Sequence, residues 1–172
     1  MAGIGTYTKI EGFAFLPITS FMMALTTFVS QNRGAKEYER ARKGAHFGLV
    51  CSVSLAETIG LLIALFVTPL MRLFVDDPQV IQYGVERAHY ATILFFMLAY
   101  SHGVSAVLRG VGKSVVPMVV MLMCWCLVRV TLLTMLNMLF HNILFVYLIY
   151  PFTWSLSSIV FFLYYRKINW QE

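Results

Sequence analysis

The chain has 172 residues, 59% of them hydrophobic and only 12% charged, with a formal net charge of +5. Soluble domains carry about 25% charged residues, and a chain this short cannot hide so much apolar surface in a water-facing core. A water-soluble domain is excluded, and so is a nucleic-acid patch, because the basic residues lie between apolar stretches without interleaved aromatics.

Taken from the N-terminus, residues 1–12 lack the basic start and cleavable apolar run of a signal peptide. Five apolar stretches follow, at residues 12–30, 47–71, 88–108, 115–140 and 143–165. Each is long enough to cross a hydrocarbon layer of roughly 30 Å, which takes about 20 helical residues. Backbone groups in lipid must be paired within their own segment. The predicted fold is therefore an all-α integral membrane bundle of about five transmembrane helices, forming a single domain over 1–172.

The first stretch is uncharged, and its helix is expected to begin a turn or two earlier. It carries a polar arc of Thr19, Met23, Thr26 and Ser30, with Ser20, Thr27 and Gln31 on the neighbouring stripe. Lipid does not select such a face, so it meets either other helices or a wet cavity. Pro17 here and Pro151 in the fifth stretch each remove a backbone bond and predict bends. At the end of the first stretch, Gln31, Asn32 and Gly34 suit a helix ending in which Gly or Asn takes the left-handed conformation.

Two charges interrupt the later stretches, Glu57 in the second and Arg129 in the fourth. Counted from Phe47 and Val115, they lie about 15 Å and about 21 Å in, at about 1.5 Å per residue. That mismatch is within reach of two long side chains, so a structural Glu57–Arg129 ion pair is expected, with a coupling-ion role for Glu57 as the alternative. His102 in the third stretch could carry protons, but a lone His on an apolar helix more often packs and hydrogen-bonds. Cys51, Cys124 and Cys126 read as small packing residues, and no metal-ligand spacing is found.

The loops set the sidedness. Arg33, Lys36, Arg40, Arg42 and Lys43 fill 31–46, Arg109 and Lys113 fill 109–114, and Arg166 and Lys167 close the last stretch. The positive-inside rule places these three segments in the cytoplasm and the N-terminus outside. An external N-terminus, no signal peptide and an odd number of spans read as the remainder of a longer protein.

Three motifs stand at these edges: Thr27-Phe28-Val29-Ser30-Gln31-Asn32-Arg33-Gly34-Ala35, Leu73-Phe74-Val75-Asp76-Asp77-Pro78, and Leu108-Arg109-Gly110-Val111-Gly112-Lys113-Ser114 before Pro117-Met118. In this order and spacing they resemble the C-terminal lobe of the MATE (multidrug and toxic compound extrusion) transporters. The resemblance implies a partial lobe, the eighth to twelfth helices of a twelve-helix protein, with the N-lobe as the missing partner. It implies export of small amphipathic or cationic substrates, driven by Na⁺ or H⁺ as coupling ion, without an organic cofactor.

It also implies a multi-pass protein of the plasma (inner) membrane, in contact with lipid. Met23, Thr26, Phe96, Tyr100 and His102 become candidate substrate contacts, because the eighth and tenth helices help line the family's central cavity. Aromatic and Met surfaces suit flat cations. Where many Na⁺-driven members carry an acid, about ten residues before Leu-Arg-Gly, this chain has Leu98. Two alternatives stand beside this reading: a lipid-linked oligosaccharide flippase of the same superfamily, and a non-transporting structural membrane subunit. No Ser/His/Asp set, His/Glu metal spacing or phosphate-cradling loop points to an enzyme.

Overall fold

The computed structural model describes residues 2–140 and 143–170. Among them every regular element is a helix: α1 (Ala2–Gly34), α2 (Tyr38–Arg72), α3 (Pro78–Thr92), α4 (Phe95–Gly110), α5 (Val115–Met121), a π-helical segment (Leu122–Val128), α6 (Arg129–Phe140) and α7 (Ile143–Arg166). Four helical runs are long and apolar enough to cross a membrane, and the bent pair α3–α4 makes a fifth if it is one broken span. The protein is an all-α membrane bundle.

The periodicity of α2 shows how the sequence builds the bundle. Ala41, Ala45, Leu49, Ser52, Ala56, Gly60, Ile63, Val67 and Met71 are buried, at steps of three and four residues that keep them on one face. Most of these side chains are small, so neighbouring helices approach closely, as lipid-embedded packing requires. The opposite face presents Phe47, Leu61, Leu62, Leu65 and Phe66, all exposed. An apolar face of that size would be unstable in water and is at rest in hydrocarbon.

α1 begins well before the uncharged stretch and takes Lys9 and Glu11 into the helix. At 33 residues it is about 50 Å long, more than the hydrocarbon thickness. Pro17 stays inside α1, Pro69 inside α2 and Pro151 inside α7. Pro117 falls in the first turn of α5, where its missing N–H leaves no intrahelical bond unmade.

The third apolar stretch is not one continuous helix. α3 starts at Pro78, with the Asp77 carboxylate accepting from Gln79 N–H at 2.9 Å. It ends at Thr92, and α4 restarts at Phe95 after a bend of 56°. α2 passes close beside this break. A Cβ on Gly60 would stand 3.3 Å from both Phe95 Cβ and Thr92 O, so the hydrogen side chain sets the approach.

Both basic turns use one closing motif. After α1, Lys36 N–H bonds Arg33 O at 2.9 Å and Glu37 N–H bonds Asn32 O at 2.9 Å. After α4, Gly112 N–H bonds Arg109 O at 3.0 Å and Lys113 N–H bonds Leu108 O at 2.9 Å. This paired pattern needs one left-handed residue per turn. In the second turn it is Gly112, at φ 79°; in the first it is Lys36, at φ 62°. The expectation that Gly34 or Asn32 takes that conformation is therefore corrected: α1 runs through both, and Asn32 Nδ2 donates back to Phe28 O at 2.8 Å. The Arg33 guanidinium then donates to Val111 O and ties the two turns together.

The interior divides into two apolar clusters. One, near the basic turns, gathers Leu25, Val29, Leu49, Val104, Val107, Val111 and Phe161. The other, toward the start of α1, gathers Tyr7, Ile10, Ala14, Ile18, Phe95, Leu98 and Trp154. Charge is buried beside the second.

Candidate functional site

Glu11 of α1 and Arg87 of α3 form a buried ion pair, Arg87 Nη2 donating to Glu11 Oε2 at 3.4 Å, with Glu11 6% and Arg87 4% exposed. The periodicity of α1 puts them there. Tyr7, Ile10, Glu11, Ala14 and Ile18 are all buried, at the three- and four-residue steps of one helix face. That stripe carries a carboxylate inward with its apolar neighbours. The Arg87 guanidinium carbon also lies 5.5 Å from the Tyr7 ring centre and 4.6 Å from that of Tyr150 on α7. Charges within a span cost about 2.5–3.5 kcal/mol each on insertion scales, which mutual pairing and aromatic faces offset.

Arg129, the first residue of α6, extends this cluster. Its Nε and Nη2 donate to Thr153 Oγ1 at 3.2 and 2.6 Å, and Thr153 Oγ1 donates onward to Tyr150 O at 2.9 Å. Its guanidinium carbon stands 5.0 Å from the Trp125 ring centre and 4.6 Å from that of Tyr150. Tyr150 thus serves both arginines. The π-helical segment adds a residue to the turns before Arg129, a device common at functional sites.

The expected Glu57–Arg129 pair is not formed. Glu57 Oε2 accepts from the N–H of Phe96, the second residue of α4, at 3.0 Å. Broken off from α3, α4 has a first turn of free amides and a positive dipole end inside the bundle, and a carboxylate satisfies both. Arg129 is drawn instead to Thr153 and the aromatic rings. Depth along the helices suited the pairing, but depth does not fix the face on which each side chain lies.

The five candidate substrate contacts do not converge. Met23 is exposed on α1. Thr26 Oγ1 donates to Met22 O at 2.9 Å and Ala106 O at 3.1 Å, joining α1 to α4. Phe96 and Tyr100 line a groove of about 310 Å³ with Val53, Met97, Ser158 and Phe162, between α2, α4 and α7. His102 is wedged between Phe15 and Trp125, its ring centre 5.8 and 5.0 Å from theirs, and its buried Nε2 has no hydrogen-bond partner among the described residues. Leu98, ten residues before Leu108-Arg109-Gly110, is fully buried in the core.

The polar arc of α1 mostly feeds its own helix. Thr19 and Ser20 donate to Leu16 O at 2.8 and 3.0 Å, and Ser30 to Thr27 O at 3.0 Å. Cys51, Cys124 and Cys126 are free thiols. Sequence reasoning missed Glu11, Arg87 and Tyr150. Glu11 sits beside Lys9 at the edge of an uncharged run, and Arg87 sits in a stretch with Asp76, Asp77 and Glu86, so both read as loop charges. The usable signal was the spacing of Tyr7, Glu11, Ala14 and Ile18.

Comparison with known proteins places this geometry. Residues 1–135 match the MatE family model. Over 112 residues the chain is 30% identical to a protein of Thermotoga maritima named "Probable multidrug resistance protein NorM", a match covering 65% of this chain and 24% of that protein. Over 83 residues it is 28% identical to a protein of Shewanella oneidensis named "FAD transporter", covering 48% of this chain and 18% of that one. The matches span about a quarter of these relatives or less.

Proposed function

The chain belongs to the MatE family of membrane transporters, and from that premise we propose that it is the C-terminal part of a cation-coupled efflux antiporter. The family match over 1–135 carries the proposal. In this reading the protein exports small amphipathic or cationic compounds, xenobiotics included, in exchange for Na⁺ or H⁺, and catalyses no covalent reaction. The bundle packs against an N-lobe, and the two lobes rock about a site near the midplane between them. The basic turns after α1 and α4 and the end of α7 face the cytoplasm of the plasma (inner) membrane, with the start of α1 outside.

Two features support this reading. Met23 and the aromatic residues near His102 offer the soft, flat surfaces that amphipathic cations favour. The bent α3–α4 pair supplies a discontinuous span of the type found in transporters. The absence of an acid at Leu98 weighs against a C-lobe Na⁺ site at that position.

The test is ethidium efflux from cells expressing the whole gene, under separately imposed Na⁺ and pH gradients. Efflux that follows either gradient supports the antiporter. An unchanged ethidium level under both, with the protein present in the membrane, refutes it.

A further inference from the structure

The charge buried around Tyr150 does not balance. Arg87 and Arg129 bring two positive charges against the single carboxylate of Glu11. Glu57 and Glu86 are engaged elsewhere: Glu57 holds Phe96 N–H, and Glu86 accepts from Gln82 Nε2 at 3.3 Å.

Arg129 is the open member of the cluster. It spends Nε and Nη2 on the single hydroxyl of Thr153, and its Nη1 has no acceptor among the described residues. Arg87 and Glu11 are buried, but Arg129 is only half-buried. Thr153, Trp125 and Tyr150 hold the guanidinium in place. A positioned guanidinium fork recognises carboxylate and phosphate oxygens in two-pronged fashion. A metal cation or an organic ammonium brought there meets two like charges at low dielectric.

We propose that Arg129, backed by the Glu11–Arg87 pair, is a binding site for the oxyanion of an organic anion, a carboxylate or phosphate carried on an amphipathic molecule. The proposal rests on the transport reading for its place in a substrate path, and it names the side chain that holds a substrate's acidic group there. Arg129 donates the contacts to the oxyanion. Glu11 keeps Arg87 in place, so that the site has one net positive charge to neutralise.

The test is equilibrium binding to the protein purified as its gene encodes it, in phosphatidylcholine nanodiscs without any gradient. The probes share one aromatic body: 1-naphthoate, 1-naphthyl phosphate and 1-naphthylmethylammonium. In the unaltered protein the two anions are expected to bind at least about tenfold tighter than the ammonium, a gap of about 1.4 kcal/mol. Arg129→Gln is expected to remove that preference, and Arg129→Lys, which keeps the charge, to retain most of it. Equal affinity for naphthoate and the ammonium in the unaltered protein overturns the proposal and needs no variant. So does undiminished naphthoate binding by an Arg129→Gln protein whose circular dichroism is unchanged. Because no gradient is applied, failure here leaves the efflux reading standing, and failed efflux leaves the site standing.

Discussion

Glu57 and Phe96 lie 39 residues apart in the chain and meet at the break between α3 and α4, where the Glu57 carboxylate accepts the Phe96 N–H at 3.0 Å. A charge that depth alone assigned to an arginine is used to close a helix end. The break is thus held from outside by α2, through a carboxylate at Glu57 and a close backbone approach at Gly60.

Removing that cap should cost what helix caps generally cost. Glu57→Ala is expected to lower stability by about 1–2 kcal/mol, and Glu57→Gln, which keeps an acceptor oxygen, by less. A double-mutant cycle of Glu57→Ala with Arg129→Gln, read by thermal unfolding in detergent, should give a coupling energy below about 0.5 kcal/mol. A coupling of several kcal/mol would restore the direct ion pair.

The Glu11–Arg87 pair is buried, so its halves are worth more together than apart. Glu11→Leu or Arg87→Leu alone leaves one charge uncompensated and is expected to destabilise the bundle by about 3–5 kcal/mol. The double substitution should recover much of that loss. SDS titration of the reconstituted protein measures both, and two additive single effects would contradict the pairing.

The two closing turns predict opposite responses to glycine chemistry. Lys36 holds φ 62° with a full side chain, so Lys36→Gly should stabilise the protein by up to about 1 kcal/mol. Gly112→Val places a β-branched residue at φ 79° and should cost about 1–2 kcal/mol or more. Chemical denaturation of the two variants side by side checks the sign of each.

Thr26 links α1 to α4 through Ala106 O. Thr26→Val keeps the volume and removes the hydroxyl, for an expected loss of about 0.6 kcal/mol, the average for such bonds between membrane helices. If Thr26 acted on substrate alone, efflux would fall while the melting temperature held.

The hydropathy of the chain made the bundle legible, because lipid burial constrains every position along a span. The turn motifs were legible as helix ends, but not the residue at which each helix reverses. Gly34 suggests the left-handed residue, yet the hydrogen bonds to Asn32 and Arg33 place the reversal two residues further on, at Lys36. The charged cluster was hidden for a different reason. Glu11 and Arg87 are isolated polar residues at the margins of apolar runs, and only tertiary packing of α1 against α3 joins them. The break in α3–α4 lacks a Pro or Gly at Ile93–Leu94, so no local signal announced it.

Sidedness is the claim on which the transporter reading turns, and impermeant-maleimide labelling tests it most directly. With Cys51, Cys124 and Cys126 replaced by Ala, single cysteines are placed at the exposed positions Arg40, Lys113, Lys167 and Gln79. In intact cells Gln79→Cys should label and the other three should not, while in inverted vesicles the pattern should reverse. Labelling of Arg40→Cys and Lys167→Cys from opposite faces would contradict the account.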